Sequence, residues 1–533
     1  MISSFKYILF ILFTILFVVK ANSQITFNKT HSLDLVNSLA ISVIETDSSY
    51  FISGVGVDML DSFNVVASYL HEVDYRGETL NKSYFVDSTG SKKFEHFRPN
   101  LKRSLDGTFL LSGYQWESGE LDPYIIKFDK DANIIFQTLQ KSKFEKGNGF
   151  ELDTDYLELP NGDIITVTRC QRDDQGNDAA AEICIYKLSA VGKLLWQKVI
   201  EDPSRRDFTG QLKLMPNGNI MIFGGKSKAH LEFHGPSWAT LTEIDTSGNL
   251  VSTWISSQSE AFDYVRTGLV VDDGYILGSG ILVEYDPDRV TIRDPMILKL
   301  NKNYEKEWKL IQYNRTDTLF SPALKYNKLI EVVKNQTFVA CGSGHKGVPD
   351  SPVGDFSDKY GRLIKFDANG NLIWERNYQY FGDEVYIDDH FFEDVIHTTD
   401  GGFLACGEAF NANASSPINA QLSWLVKMDE HGCIVPGCHD LIDNTISVSN
   451  AVGLKLFPNP VSDVLNVSIN HQGSYGEAQI IINNSMGQQL KTYPIKLPNL
   501  TMMIDVGRFM SGTYYLTYVV DGVVLRTKGF VKD

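Results

Sequence analysis

A short pattern of apolar and polar positions recurs along most of the chain. In its clearest form, KFDANGNLIW from Lys365, an apolar run ends at Asp367, a Gly-containing turn follows, and a second apolar run ends at Trp374. Two apolar runs that flank a short Asx-Gly turn are typical of an antiparallel hairpin. In such a hairpin Asp367 can accept hydrogen bonds from backbone N–H groups ahead of it, and Gly370 can take a positive φ.

Seven copies of this phrase follow one another at intervals of about 55 to 66 residues, which is the signature of a repeat architecture. A second hairpin pattern, of the SLDGTFLLSG type, precedes each copy. Each unit is therefore predicted to contain four antiparallel strands, a to d. The third residues of the seven copies are Asp74, Asp129, Ser189, Asp245, Asn301, Asp367 and Asp429.

Seven four-stranded units predict an all-β fold, a seven-bladed β-propeller, in which neighbouring sheets cover each other's faces. A β-solenoid is the competing architecture, but its rungs are shorter, roughly 20–30 residues. The last unit has CIVPGC where strand d should lie, and Pro disfavours a strand there. The segment QITFNKT from Gln24 resembles NLIWERN, so we expect residues 25–29 to supply that outer strand, with Phe27 at the position of Trp374.

The two ends of the chain carry export signals of different kinds. Residues 1–23 have the pattern of a cleaved signal peptide, with Lys6, an apolar core of about a dozen residues and a small-x-small site that ends at Ser23. The predicted organisation is a signal peptide at 1–23, a seven-bladed propeller at 24–438, a polar linker at 439–452 and a small Ig-like β-sandwich at 453–533.

The C-terminal segment carries a specific set of short motifs: FPNP at 457–460, then GQQL, then SGTYYL and a lysine-containing final strand. Together they resemble the C-terminal sorting domain of the type IX secretion system. The resemblance implies transport across the outer membrane by that machinery, often with removal of the domain, and a cargo that is released or attached at the cell surface. The residues that carry it are Phe457, Pro458, Asn459, Pro460, Gly512, Tyr514 and Lys528.

Charge, hydropathy and cysteine content indicate which partners, membrane segments and disulfides to expect. The formal net charge is −17 and no basic cluster is present, so a nucleic-acid partner is not expected. No segment of the mature chain is apolar and long enough to span a membrane as a helix. Export permits disulfides, and two pairs are candidates, although spacing alone leaves the connectivity open. The candidate pairs are Cys170 with Cys184 and Cys433 with Cys438, whereas Cys341 and Cys406 have the pattern of small buried strand residues.

Long connections are expected at one end of every sheet, because the b–c and d–a connections are long and the a–b and c–d turns are short. We therefore predict that the long loops form one rim. The acidic, histidine and tryptophan candidates on it are Asp174, Asp178, His234, Trp238, Asp286, Asp288, His345, Asp383, Asp388, Asp389 and His390. A solvated acidic loop is the simplest interpretation of the first two, with a calcium site as an alternative; no other cofactor is expected.

Three functions fit this pattern. The leading hypothesis is a secreted or cell-surface propeller that binds a protein or glycan through the long-loop rim, because no GxSxG, nucleotide-loop or haem motif is present. The alternative is a secreted hydrolase or lyase that acts on a polysaccharide with acidic residues at the propeller mouth. A structural spacer without a dedicated ligand is the third, and the fold itself does not decide among them.

Overall fold

A computed structural model of the chain describes residues 24–60, 63–85, 92–95, 100–117, 120–140, 155–171, 181–202, 205–228, 237–257, 265–284, 292–311, 326–345, 359–381, 388–411, 420–435, 438, 452–471, 478–484, 488–495, 499–520 and 523–533. The predicted signal peptide lies outside these residues. The chain divides into two compact parts, with the boundary after Val435. The all-β prediction is confirmed, since the regular elements of the described residues are strands in antiparallel sheets.

The first part contains seven antiparallel sheets in its described residues, numbered here in chain order. Sheet 1 consists of β2 (Asn37–Glu45), β3 (Tyr50–Leu60), β4 (Phe63–Val73) and β5 (Thr79–Phe85). Sheet 2 consists of β6 (Lys92–Glu95), β7 (Lys102–Arg103), β8 (Phe109–Glu117), β9 (Glu120–Phe128) and β10 (Ile134–Leu139). Sheet 3 consists of β11 (Asp155–Glu158), β12 (Ile164–Gln171), β13 (Ala181–Leu188) and β14 (Leu194–Ile200).

The next four sheets repeat this order. Sheet 4 consists of β15 (Arg205–Leu214), β16 (Ile220–Lys228), β17 (Ser237–Ile244) and β18 (Leu250–Ile255). Sheet 5 consists of β19 (Thr267–Val271), β20 (Gly274–Glu284), β21 (Ile292–Asn301) and β22 (Lys306–Ile311). Sheet 6 consists of β23 (Tyr326–Val333), β24 (Thr337–His345), β25 (Lys359–Asp367) and β26 (Leu372–Tyr378). Sheet 7 consists of β27 (Asp388–His397), β28 (Phe403–Asn411), β29 (Gln421–Met428) and β1 (Phe27–His31).

Sheet 7 takes its outer strand from the other end of the chain. β1 pairs antiparallel with β29, and Phe27 lies opposite Lys427. Trp374 lies opposite Lys365 in sheet 6, which is the equivalent register. The predicted pairing of this outer strand with the last sheet is confirmed for residues 27–29, although the strand continues to His31 and residues 25 and 26 precede it.

The turn chemistry predicted for the repeated phrase is also confirmed. Asp367 Oδ1 accepts hydrogen bonds from the N–H groups of Asn369 and Asn371 at 2.9 and 2.8 Å. Gly370 has a φ of +79°, a conformation that costs an L side chain about 1–2 kcal/mol. The turn between the third and fourth strands is thus fixed by its own sequence.

Aromatic residues of the fourth strands pack on this turn in the following sheet. A Cβ added to Gly370 would lie 2.7 Å from the ring of Trp308, and Trp308 Nε1 donates to the carbonyl of Ala368 at 2.9 Å. Equivalent contacts join Trp196 to Gly248 and Phe27 to Gly77. The tryptophans at this register therefore serve sheet-to-sheet packing, as their spacing predicts.

In four of the sheets, a lysine on the third strand forms an ion pair that links the two hairpins of that sheet. Each ammonium group is largely buried and pairs with an aspartate of the turn between the first two strands, at 2.7 to 3.1 Å: Lys127 with Asp106, Lys187 with Asp163, Lys299 with Asp273 and Lys427 with Asp400. In sheet 4 the donor and acceptor positions are exchanged. Glu243 on the third strand accepts hydrogen bonds from the side-chain amides of Asn217 and Asn219 in the turn.

Side chains near the first strands link each sheet to its successor. Ser42 Oγ in sheet 1 accepts the N–H of Leu101, the residue before β7, at 3.2 Å. Asp155 Oδ1 of sheet 3 lies 2.6 Å from Lys102 Nζ of sheet 2. Asp155 Oδ2 accepts the N–H of Leu212 in sheet 4 at 2.8 Å. Sheets 1 to 4 are thus joined in chain order.

The same kind of link continues from sheet 4 to sheet 6. Gln211 Oε1 accepts the N–H of Gly268 in sheet 5 at 3.3 Å. Thr267 Oγ1 of sheet 5 accepts the N–H of Leu329 in sheet 6 at 2.9 Å. These bonds are buried, and they satisfy backbone donors that the sheets leave without partners.

Further hydrogen bonds join sheet 6 to sheet 7 and sheet 7 to sheet 1. Asn327 Nδ2 of sheet 6 donates to the carbonyl of Phe392 in sheet 7 at 2.8 Å. Asp394 Oδ2 of sheet 7 accepts the N–H of Val43 and the hydroxyl of Ser42 in sheet 1, at 3.1 and 2.8 Å. Each of the seven sheets is therefore hydrogen-bonded to the next, and the seventh to the first.

The C-terminal part is a two-sheet structure with its own apolar core. One sheet has the order β30-β31-β34 and the other β33-β32-β35-β36. Their strands are β30 (Val452–Phe457), β31 (Val464–His471), β32 (Ala478–Asn484), β33 (Gln489–Ile495), β34 (Asn499–Asp505), β35 (Gly512–Val520) and β36 (Val523–Lys532). The core between them includes Leu465, Ile480, Ile504, Leu516 and Phe530.

Candidate functional site

The b–c and d–a connections leave from the same end of each sheet, because the strands follow one another antiparallel. We call this the long-connection end. Six of the predicted rim residues lie outside the described residues: Asp174, Asp178, His234, Asp286, Asp288 and Asp383. His345 and Asp388 are described only by their backbone positions in β24 and β27. The prediction that these side chains share one rim stays a prediction.

An acidic cluster in sheet 7 marks the described part of the long-connection end. It consists of Asp389 at the beginning of β27, Glu393 in the middle of the same strand and Glu408 in the middle of β28. Asp389 Oδ2 pairs with Lys359 Nζ at 3.1 Å, and both side chains are about four-fifths buried. Asp389 Oδ1 is buried and has no hydrogen-bond partner among the described residues.

The pKa of Glu408 is raised in this acidic cluster. Burial raises its pKa, the nearby carboxylates of Glu393 and Asp389 raise it further, and the opposing hydrogen bond from Gln421 and charge of Lys359 leave it at about 8. A carboxyl group with such a pKa is protonated at neutral pH, so it can donate as well as accept a proton.

Cations at the edge of the acidic cluster come from two other sheets. Arg266 lies just before β19; its Nη1 is 3.9 Å from Glu393 Oε2 and donates a hydrogen bond to Asn327 Oδ1 at 2.5 Å. Lys359 begins β25 of sheet 6. The cluster therefore combines carboxylates and cations from sheets 5, 6 and 7, an arrangement suited to hydrogen bonding with a polar ligand.

A second buried carboxylate lies at the same end of sheet 4. Asp207 is 1% exposed and lies 3.4 Å from Lys226 Nζ, which also pairs with Asp202 at 3.0 Å. Burial is the main cause that raises the pKa of Asp207, to about 7, with Lys226 opposing and Asp202 adding to the shift. Desolvated acids thus occur at this end in two sheets.

Two predicted rim residues are buried within the sheets. His390 is fully buried; its ring centroid lies 5.2 Å from that of Trp424, and its Nδ1 lies 3.3 Å from the carbonyl oxygen of Lys359. Trp238 is 5% exposed and pairs with Lys226 across β16 and β17. Both side chains are thus buried inside the protein.

Glu393 and Glu408 were not predicted as site residues, although the sequence carried a signal for one of them. Glu408 directly follows the apolar run FLACG, where the strand pattern continues with small or apolar residues. Glu393 gave no such signal, because it is the extra residue of a β-bulge between Phe392 and Asp394, and bulges depend on pairing with β28.

The cysteines form two disulfides. Cys170 and Cys184 are bonded across β12 and β13, as predicted. Cys433 and Cys438 are also disulfide-bonded, and Cys341 and Cys406 are buried free thiols. Within the described residues, no group of three or more His, Cys, Asp or Glu side chains is arranged to hold a metal ion. No helix there has the length and apolarity that crossing a bilayer requires.

Comparison with protein families decides the nature of the C-terminal part. The family model of the secretion system C-terminal sorting domain matches residues 455–532. Residues 455–532 are a type IX secretion C-terminal sorting domain. The sorting domain directs the chain to the secretion machinery and hence to the cell surface or the medium.

Solved structures resemble the chain only distantly. A protein of unknown function from Dyadobacter fermentans is 12% identical, with 63% of this chain and 93% of that chain covered and a TM-score of 0.37. The polysaccharide lyase Uly1 is 10% identical, with 73% of this chain and 89% of the lyase covered and a TM-score of 0.40. Drosophila Semaphorin 2a is 8% identical, with 95% of this chain and 97% of the semaphorin covered and a TM-score of 0.43. No curated protein matches the chain.

The motif residues of the sorting domain lie at strand ends and in its core. Phe457 ends β30 with 48% of its surface exposed, and the peptide bonds before Pro458 and Pro460 are cis. Asn459 Oδ1 accepts the N–H of Val531 at 2.8 Å, which ties the FPNP turn to the last strand. Gly512 begins β35, Tyr514 is buried against Phe530, and Lys528 is exposed on β36.

Proposed function

We propose that residues 24–438 form a seven-bladed β-propeller, exported after removal of residues 1–23 and joined by a linker at 439–452 to the sorting domain at 453–533. The closed series of hydrogen bonds from Ser42 round to Asp394 and back supports this arrangement. The outer strand β1, supplied to the last sheet from the start of the chain, supports it as well. Closure removes the unpaired sheet faces that an open array would leave.

The function that the geometry supports best is binding of an extracellular glycan or protein at the long-connection end. The observation that carries it is the acidic cluster of sheet 7, where Asp389 Oδ1 is a buried acceptor without a partner among the described residues. Unsatisfied buried acceptors are uncommon and costly, and a ligand hydroxyl or amide would satisfy this one. The long connections that start beside it would supply the remaining contacts.

A binding screen of the full mature chain against glycans and against surface proteins of neighbouring cells tests this proposal. We expect saturable binding that Asp389→Asn weakens at least about tenfold, since a charge-assisted hydrogen bond contributes roughly 1.5–3 kcal/mol. Asp131→Asn is the matched control, because Asp131 is exposed in a turn at the opposite end of sheet 2. Absence of binding to every glycan and protein tested would refute the proposal.

A second candidate is hydrolysis or elimination on a polysaccharide at the same cluster. It is favoured by Glu408, whose pKa of about 8 suits a general acid at neutral pH, with Asp389 and Glu393 as neighbouring carboxylates. Incubation with a polysaccharide panel would release new reducing ends or unsaturated products. Glu408→Gln should then abolish product formation while binding persists.

A further inference from the structure

Two histidines from different sheets meet where β1 packs on sheet 1. His31 is the last residue of β1, and His71 lies in β4. Their ring centroids are 4.7 Å apart, and the rings meet edge-on at an angle of 66°. His71 is 1% exposed, and His31 is half-buried. These two rings, called here the histidine pair, are part of the contact between the outer strand of sheet 7 and sheet 1.

One face of β1 makes this contact. Phe27, Lys29 and His31 alternate along the strand, so their side chains lie on the same face. A Cβ added to Gly77 would lie 2.9 Å from the ring of Phe27, and Lys29 Nζ donates to the carbonyl of Arg76 at 2.7 Å. The histidine pair is therefore the last of three contacts that hold β1 on sheet 1.

The ring nitrogens of the histidine pair lack polar partners on their inner sides. His71 Nε2 forms a hydrogen bond with Thr79 Oγ1 at 2.9 Å. His71 Nδ1 and His31 Nε2 are buried and have no hydrogen-bond partner among the described residues. Burial without a polar partner favours a neutral imidazole, because a charged ring would lose its hydration there.

The charged groups that face the histidine pair are already paired with one another. Lys29 pairs with Glu78. Lys82, which lies opposite His71 across β4 and β5, pairs with Asp34 at 2.8 Å. A proton on either imidazole would thus place a further positive charge beside two ammonium groups whose carboxylates are engaged. Protonation therefore opposes the contact between β1 and sheet 1.

We propose that the histidine pair is a pH-sensitive switch that releases β1 in acid. While both imidazoles are neutral, β1 stays packed on sheet 1. Acid protonates His31, which moves towards water, and the end of β1 leaves sheet 1 and its partner strand β29 with it. His71 binds its proton once His31 has moved, because its buried ring lies against that of His31. This switch is independent of the proposed glycan or protein site and goes beyond it.

The direction of the switch agrees with the pKa values of the two rings. Burial and then the charge of Lys29 lower the pKa of His31 to about 4, while Glu78 opposes the shift. Burial, then His31 and Lys82, lower the pKa of His71 to about 3. In the released form both groups regain the ordinary pKa of 6.5, so that form binds more protons below this pH. The packing of β1 is thus strongest above pH 6.5 and weakens as the pH falls towards 4.

Hydrogen exchange of the full mature chain at pH 7.5 and pH 5.5, corrected for the intrinsic exchange rates, tests the proposal. We expect the protection factors of residues 27–31 to fall about a hundredfold at pH 5.5, roughly tenfold for each histidine. Residues 372–378, which form the outer strand β26 of sheet 6, are the internal control because they contain no histidine. Their protection should stay unchanged, which separates release of β1 from general unfolding.

His31→Gln should reduce the fall at residues 27–31 to about tenfold, and the double variant His31→Gln/His71→Gln should abolish it. His397→Gln is the matched control, because His397 is exposed at the end of β27 in sheet 7. It should show the same hundredfold fall as the wild type, roughly. Equal pH dependence of residues 27–31 and 372–378 in the wild type, or an undiminished fall in His31→Gln, would overturn the proposal.

Discussion

Asp394 Oδ2 lies 2.8 Å from Ser42 Oγ, although 352 residues separate them in the chain. The same carboxylate pairs through Oδ1 with Lys328 at 3.2 Å, so a single side chain joins sheets 1, 6 and 7. Its side chain is only 2% exposed. Asp394 is therefore a direct probe of the contacts between these three sheets.

Asp394→Ala should lower the free energy of unfolding by about 3–5 kcal/mol, because it leaves Lys328 without its partner and two donors of sheet 1 without their acceptor. Urea unfolding followed by tryptophan fluorescence measures this loss. Asp34→Asn is the control, since Asp34 forms an exposed pair with Lys82, Asn tolerates its φ of +56°, and the change in stability should be less than about 1 kcal/mol. Equal effects of the two substitutions would contradict closure through Asp394.

Gly370→Ala should destabilise the chain more than Gly107→Ala. Both glycines have positive φ, at +79° and +85°, so both variants incur a backbone cost of about 1–2 kcal/mol. Only at Gly370 would the new Cβ meet an aromatic ring, that of Trp308 at 2.7 Å, whereas nothing lies within 4 Å at Gly107. We expect a further loss of about 1–3 kcal/mol from this overpacking. Thermal unfolding of the two variants side by side gives the difference directly.

Glu408 should make the chain less stable as the pH rises from 7 to 8. Its pKa is about 8 in the folded state against about 4.5 when unfolded, so the folded state binds more protons in this window and stability falls with rising pH. The slope for one group approaches about 1.4 kcal/mol per pH unit at the lower end of the window. Glu408→Gln should flatten the slope of the urea midpoint between pH 7 and 8, while Glu305→Gln, at an exposed turn residue, should leave it unchanged.

Removal of residues 453–533 should stop transport across the outer membrane. The sorting domain at 455–532 is the part of the chain that addresses it to the type IX machinery. Fractionation of a bacterium that carries this machinery should find the truncated chain in the periplasm and the full chain at the surface or in the medium. A reporter fused to residues 439–533 and a signal peptide should be exported, and periplasmic retention of that fusion would contradict the assignment.

The sequence predicts well what is decided by local chemistry. Asp367 and Gly370 define their turn within five residues, and the register of Trp308 and Trp374 is repeated, so four-stranded sheets and their mutual packing could be inferred. The outer strand at Phe27 could also be predicted from the sequence, because residues 24–30 resemble the fourth strands of other units.

The links between first strands could not be predicted in the same way. They use a different residue type in nearly every sheet, and several lie at β-bulges whose position depends on the neighbouring strand. The burial of His390 was missed for a related reason: the aromatic and acidic composition of its segment is that of a solvated loop, but Trp424 and Phe381 enclose its ring.

The pairing of β1 with β29 has a consequence for how the molecule is made. The strand that seals sheet 7 leaves the ribosome first, whereas its partner follows about 400 residues later. During synthesis, β1 therefore has no pairing partner until β29 of the last repeat has been made. In any shorter product β1 stays unpaired. A product that stops before β29 cannot form this pairing, so the first strand gains its partner only once the chain has been made as far as Met428.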